Sequence, residues 1–181
     1  MLNGRRSQIK KNYMKKIFFG FCTTLVLAAV FAFTTVTNWK VADGYSIVFS
    51  TSGVSGIFKN LTGTILFDEQ TLPSSKFDIA IDINTINTGN GMQNKHAKSA
   101  EWFDAAKYPA IKFTSAKIVK AGAGYTATGS LQVHGISKEV NLPFTFKKTT
   151  TGALFEGSFN INRNDFKIGA AGGEVGDVIK I

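Results

Sequence analysis

From Tyr45 onward the chain is dominated by a period of two, the spacing that sends alternate side chains to opposite faces of a β-strand. Phe77, Ile79, Ile81 and Ile83 alternate with Asp78, Ala80, Asp82 and Asn84, which describes a strand with one dry face. Val140, Leu142, Phe144 and Phe146 repeat the pattern, as do Phe155, Gly157, Phe159 and Ile161, while Tyr125, Ala127, Gly129, Leu131 and Val133 form another apolar row. Phe58, Leu61, Gly63, Ile65 and Phe67 share a face if a bulge falls near Lys59 or Asn60. With residues 45–50, residues 110–119 and a last strand from Val175, the pattern predicts eight strands, joined by turn signals such as Ala121-Gly122-Ala123-Gly124 and Thr150-Thr151-Gly152. Their order suggests an antiparallel meander.

Antiparallel strands with one apolar face either close into a barrel or stack as a sandwich, and alternation alone does not choose between them. Long strands between short turns favour an up-and-down barrel, whose closure leaves no open edges. An eight-stranded barrel is filled by its own side chains or encloses one ligand, and a Phe-rich inward set leaves both open. One stretch breaks the strand pattern. Residues 89–109, GNGMQNKHAKSAEWFDAAKYP, are helix-prone and mostly polar, and hold one of the two histidines beside a Trp-Phe pair. Trp102, Phe103 and Tyr108 are the side chains able to dock such an insert on an apolar surface while its lysines stay in water.

The first 32 residues read as a disposable leader. Arg5, Arg6, Lys10, Lys11, Lys15 and Lys16 precede an apolar run from Ile17 to Phe33, too short to span a bilayer comfortably and ending in small residues. Met14 is the more natural start, and Val30-Phe31-Ala32 places cleavage after Ala32, so that residues 33–181 form the exported domain, in the periplasm or outside the cell. The alternative is an uncleaved membrane anchor. Removing the leader takes six of the 21 basic residues and leaves 15 against 12 acidic ones, a net charge of +3 in place of +9. With only Arg163 among the arginines of the exported part, no guanidinium patch or basic helix points to nucleic acid. The single cysteine, Cys22, lies inside the leader, so the exported part has no disulfide. With only His96 and His134 it also lacks a cluster for a transition metal. Its 149 residues suit one core and one domain.

Across this domain the chain resembles the YceI-type proteins, a lipocalin-like, polyisoprenoid-binding family. The residues that carry the resemblance are Trp39, Asp43, Ser46, Phe49, Gly56, Phe58 and Gly63, then His96, Trp102-Phe103-Asp104, Tyr108-Pro109, Ile111 and Phe113. Gly129, Leu131, Gly135 and Lys138 follow, and then Asn162-Arg163, Asp165-Phe166 and Val175-Gly176-Asp177. The resemblance implies an all-β, eight-stranded antiparallel lipocalin-like barrel with a short helical insert between its third and fourth strands. It also implies an apolar tunnel for a long-chain isoprenoid or related lipid, and no catalytic machinery or other cofactor. Two departures stand out. Where many members carry an Arg-Asp pair before the histidine, this chain has Gln93-Asn94, whose amides are expected to keep the loop's shape without the charges. The end at Ile181 is read as a shortened last strand.

On this reading the candidate ligand contacts are Phe49, Phe58, Ile65, Phe77, Ile79, Ile81, His96, Trp102, Phe103, Phe113, Leu131, Leu142 and Phe144. None is a candidate catalyst or metal ligand. His96 is either a donor to the ligand or, more commonly for such a histidine, a tie from its loop to a backbone carbonyl. His134, out of phase with the inward row, belongs at a strand end in solvent, and Arg163 with Asp165 reads as a structural ion pair. Ser52-Gly53-Val54-Ser55-Gly56 lacks the spacing of a nucleophile elbow and reads as a loop. The glycine-rich residues 169–176 lead into a strand, so they do not form a phosphate cradle at a helix start. Asp68-Glu69 are read as solvated turn residues. Two functions remain: a carrier or sequestering protein for a long apolar lipid in the cell envelope, with a stress-related role in view, or a scaffolding barrel filled by its own phenylalanines that binds a protein. Pairing of two barrels into a homodimer stays open.

Overall fold

A computed structural model describes residues 36–181; the leader, its start and its cleavage point lie outside the described residues. The strands form two antiparallel sheets. The larger runs, in spatial order, β1 (Asn38–Trp39), β4 (Leu61–Leu66), β5 (Lys76–Asp82), β6 (Ala110–Ala121), β7 (Gly124–Val133), β8 (Ile136–Lys148) and β9 (Ala153–Gly157). The smaller runs β10 (Asn160–Asn162), β11 (Val178–Lys180), β2 (Ile47–Thr51) and β3 (Val54–Phe58). From β4 to β9 every strand pairs with its successor in the chain, the meander that short turns produce. One short helix, α1 (Gly91–Ala97), lies in the chain between β5 and β6.

The chain changes sheet three times, through the longer link of residues 40–46 from β1 to β2 and at two tight corners, Lys59-Asn60 from β3 to β4 and Ser158-Phe159 from β9 to β10. Asn60 turns the first corner with φ of 57°, a left-handed conformation that asparagine tolerates better than most residues. At the second, Phe159 exchanges backbone hydrogen bonds of 3.1 and 2.9 Å with Ile181. These corners correct the predicted count of eight strands to eleven among the described residues. The rows 58–67 and 155–161, each read as one strand, are cut where the chain changes sheet. The third addition is β1, whose two residues pair with Leu66 and Ile65 and are too few to show alternation. The bulge expected near Lys59 or Asn60 falls at the first corner, and the last strand begins at Val178 instead of Val175.

Burial follows the alternation. In β7, Tyr125, Ala127, Leu131 and Val133 are buried while the residues between them are more exposed. Gly129 belongs to the same row and faces the irregularity in β6 between Ser115 and Lys117. A Cβ there would overlap the Thr114 carbonyl oxygen, so only glycine lets β7 close on β6. One end of the interior is packed with aromatic rings around the fully buried Phe67, whose centroid lies 5.0 Å from Tyr125, 5.4 Å from Phe144, 4.8 Å from Phe146 and 5.6 Å from Phe155. Trp39 seals this cluster, its indole N–H donating to the Phe67 carbonyl at 2.9 Å. Glu69 is exposed in a turn, as expected from sequence, and in addition its Oε1 accepts from Tyr125 Oη at 2.6 Å. That bond, then burial and the carboxylate charge, push the Tyr125 hydroxyl up to about 12.

Candidate functional site

The insert is held together by side-chain caps. Asn90 Oδ1 accepts from the backbone N–H of Met92 at 2.9 Å and of Gln93 at 3.2 Å, starting α1. Asn94 Oδ1 accepts from Thr88 N at 2.8 Å and from Thr88 Oγ1 at 2.9 Å, so one of the two neutral amides ties the preceding loop to the helix. Beyond α1 the chain folds back on itself, with Phe103 N donating to Ala97 O and Asp104 N to Ser99 O. Two aromatic anchors then dock the insert. Phe103 meets Phe58 of β3 edge to face at 6.1 Å, and Trp102 packs directly over Gly169. Tyr108, the third expected anchor, meets His134 edge to face at 5.2 Å.

Beyond the aromatic cluster the interior is open. A cavity of about 880 Å³ lies between the sheets and the insert, large against the roughly 300–1,000 Å³ usual for small-molecule sites. Phe77, Ile79 and Ile81 of β5 line it, with Phe49 of β2, Phe58 of β3 and Ile65 of β4. Phe113 of β6, Leu131 of β7, and Leu142 and Phe144 of β8 complete the strand wall, and His96, Trp102 and Phe103 come from the insert. All thirteen candidate contacts thus line one cavity. Ile65, Ile79, Ile81 and Leu142 pack against the core on one side and are only half-buried because they border the open cavity on the other. The cavity opens beside α1, where Met92 lines it while 82% exposed. The Phe-rich interior is therefore filled at one end and open at the other.

Other lining residues escaped the sequence reading. Ile47 alternates with Phe49 in β2 and was legible in principle; Ile179 and Ile181 alternate over too short a run to register. Ile86 follows a 3-10 turn and belongs to no periodic row. Val140, expected to face the same interior, packs against the aromatic cluster and does not reach the cavity. The wall is also less purely hydrocarbon than the rows imply, since Glu156, Glu174 and Arg163 contribute to it.

Three expectations about polar residues are corrected. His96 ties its loop to an indole in place of a carbonyl: Trp102 Nε1 donates to His96 Nε2 at 2.7 Å. His134 is not free in solvent; with φ of 52° it turns its ring so that Nδ1 lies 3.2 Å from Phe166 O. Arg163 pairs with Asp177 and not with Asp165, Nη2 to Oδ1 at 2.7 Å. Only 1% exposed, Arg163 also donates to the carbonyls of Ile168 at 2.7 Å, Val175 at 2.9 Å and Gly176 at 3.2 Å. Its guanidinium lies 5.6 Å from the Trp102 ring centre, so one cation fastens the glycine-rich loop and braces the insert. Sequence proximity favoured Asp165, but the 3-10 turn Arg163–Phe166 points the two side chains apart, leaving Asp165 exposed. Val54–Gly56, read as loop, is strand; only Ser52-Gly53 makes the turn. Among the described residues no cluster of His, Cys, Asp and Glu is arranged to hold a metal, and no helix is long and apolar enough to cross a membrane.

Residues 34–181 match the family model of the YceI-like domain. A UPF0312 protein of Photorhabdus laumondii is 36% identical over 99 residues, 55% of this chain and 48% of its own, so the alignment spans about half the length of that relative. Among solved structures, BcnA of Burkholderia cenocepacia superposes with a TM-score of 0.70 at 28% identity, over 75% of this chain and 91% of its own. A polyisoprenoid binding domain from Saccharophagus degradans, implicated in plant cell wall breakdown, superposes with a TM-score of 0.55 at 18% identity, over 75% of this chain and 87% of its own, a likeness of fold alone.

Proposed function

The chain belongs to the YceI-like family, and from that membership and the open interior we propose that it binds one long-chain apolar lipid, an isoprenoid or a close relative, and sequesters or carries it in the cell envelope. The observation that carries this reading is the cavity of about 880 Å³ walled by Ile and Phe side chains and not filled by any side chain of its own. Burying a guest there removes apolar surface of both partners from water, at roughly 0.8 kcal/mol for each buried methylene of the guest. A few isoprene units therefore supply useful affinity, and a much longer chain gains less as its ordering cost grows. The polyisoprenoid binding domain of Saccharophagus degradans lends the guest class by likeness of fold. The leader's cationic start and short apolar run support export to the periplasm or beyond. The protein acts by burial and not by bond-making, and neither nucleic acid nor a metal enters its action. A scaffold filled by its own phenylalanines fits the aromatic end only.

The test is to purify the protein without detergent, record its native mass, and extract it with organic solvent. A bound long-chain lipid is expected, and adding polyprenol to the stripped protein is expected to raise its melting temperature. A native mass equal to the bare chain, with no binding or thermal shift on adding polyprenyl lipid, refutes the carrier reading.

A further inference from the structure

Resting on the cavity as the lipid site, we propose that Met92 is a site of reversible oxidation, and that conversion of its thioether to a sulfoxide weakens the hold on an apolar guest. Of the sulfur-bearing side chains Met1, Met14, Cys22 and Met92, only Met92 falls within the described residues 36–181. It is 82% exposed, against 57% for Val178, the next most exposed large apolar side chain among those residues. It also lines the cavity. Helix α1 turns one face inward, with Met92 and Gln93 one turn from His96 and Ala97. Ala97, at the docked end of that face, packs with Phe49, Phe58 and Ile86, and His96 is held by the Trp102 indole. Met92 lies at the other end, where the apolar wall meets water.

The reaction asks for a peroxide and for no catalyst from the protein. A lone pair of Sδ attacks one oxygen of hydrogen peroxide, the S–O bond forms as the O–O bond breaks, the transferred oxygen gives its proton to the departing hydroxide, and water leaves. Sulfur loses two electrons and the peroxide gains them. A dithiol acting through a methionine sulfoxide reductase restores the thioether, yielding a disulfide and water. Access selects the site, since Trp39 and Trp102 are half-buried and their indole N–H groups are bonded to Phe67 O and His96 Nε2. The product replaces a soft, apolar group with a strong hydrogen-bond acceptor. A guest in contact with this rim strips water from that oxygen, a cost the thioether does not carry. The fold has little at stake, because Met92 buries little of its surface.

The experiment treats delipidated protein with dilute hydrogen peroxide, locates the added oxygen by peptide mass mapping, and titrates polyprenol before and after by native mass. Oxidation of Met92 ahead of Trp39 and Trp102 is expected, with about a tenfold loss of polyprenol affinity and an unchanged far-UV circular dichroism spectrum. Treatment with dithiothreitol and the reductases for both sulfoxide epimers is expected to restore the affinity. Met92→Leu, compared with itself before and after peroxide, is expected to show no change. An affinity that survives complete oxidation of Met92, an equal loss in Met92→Leu, or a Met92 that stays reduced while tryptophan reacts overturns the oxidation switch and leaves the carrier reading standing. Failure of the untreated protein to bind polyprenol overturns both.

Discussion

Arg163→Met removes the one buried cation among the described residues and keeps most of its apolar stem. Four hydrogen bonds vanish with the guanidinium, to Ile168 O, Val175 O, Gly176 O and Asp177 Oδ1. Their losses are not equal. The Asp177 side chain is 39% exposed and recovers water, and the carbonyls of half-buried Val175 and Gly176 are within reach of solvent. The carbonyl of Ile168, a residue only 4% exposed, is stranded, and the glycine-rich loop loses its only charged tie. The expected loss is about 3 kcal/mol, at the low end of the range for breaking a buried pair and a large share of the roughly 5–15 kcal/mol that holds a domain folded. Urea unfolding followed by tryptophan fluorescence and far-UV circular dichroism measures it, with the slope expected to stay constant. Asp177→Asn keeps an acceptor and is expected to cost about 1 kcal/mol or less, and Asp165→Asn to fall within about 0.5 kcal/mol of wild type. An Arg163→Met loss below about 1 kcal/mol, or a larger effect from Asp165 than from Asp177, refutes the assignment of Arg163 as the fastener of this loop.

Phe103→Ala is expected to cost about 2–3 kcal/mol, less than a fully buried phenylalanine because Phe103 is half-buried against Phe58; a loss under about 0.5 kcal/mol in the same urea assay would mean the insert does not dock. Tyr125 has its hydroxyl raised to about 12 in the folded chain, against about 10 in an unfolded one. The folded state therefore holds the proton more tightly, and the contribution, complete below about pH 10, is lost as pH climbs toward about 12. Melting curves should show this loss in wild type and a shallower one in Tyr125→Phe; parallel curves would exclude the Glu69 bond as its source. Ile81→Lys sets an ammonium on the half-covered cavity wall, where an unpaired charge is costly unless water enters. Lipid should be absent from the purified variant, and retention of wild-type lipid content would remove β5 from the binding wall.

Alternation was readable wherever a strand stays in one sheet and faces one core, as in β5 and β7, and there it identified the inward residues that meet in the cavity. It failed where the physics stops being periodic. At Lys59-Asn60 and Ser158-Phe159 an inward row runs on through a change of sheet, so the pattern hides the corner. The partner of Arg163 was illegible because the choice between Asp165 and Asp177 depends on a 3-10 turn and a loop closure, neither of which leaves a repeating mark. His96 and Trp102 are six residues apart, and their bond needs the chain to double back after α1. The division of the interior into a packed aromatic end and an open end was equally hidden. Both ends are built from the same residue types, and only ring geometry decides where Phe67 leaves no space and where Ile79 leaves some.

The contact between β11 and β2 consists of one paired position, Lys180 with Ser50, helped by Gly176 N donating to Ser52 O at 3.0 Å. The ladders of β6, β7 and β8 are far longer. Cooperativity is therefore unevenly distributed: parting that seam sacrifices little backbone pairing, whereas parting β7 from β8 approaches global unfolding. The backbone amides of β2 and β11 that face this seam should exchange with solvent through brief local openings while those of β7 persist. Ile47 and Phe49 on one side of the seam and Ile179 on the other also line the cavity, so each such opening momentarily unroofs it. Residence time of a guest would then track the opening rate of a three-residue strand and not the stability of the whole domain.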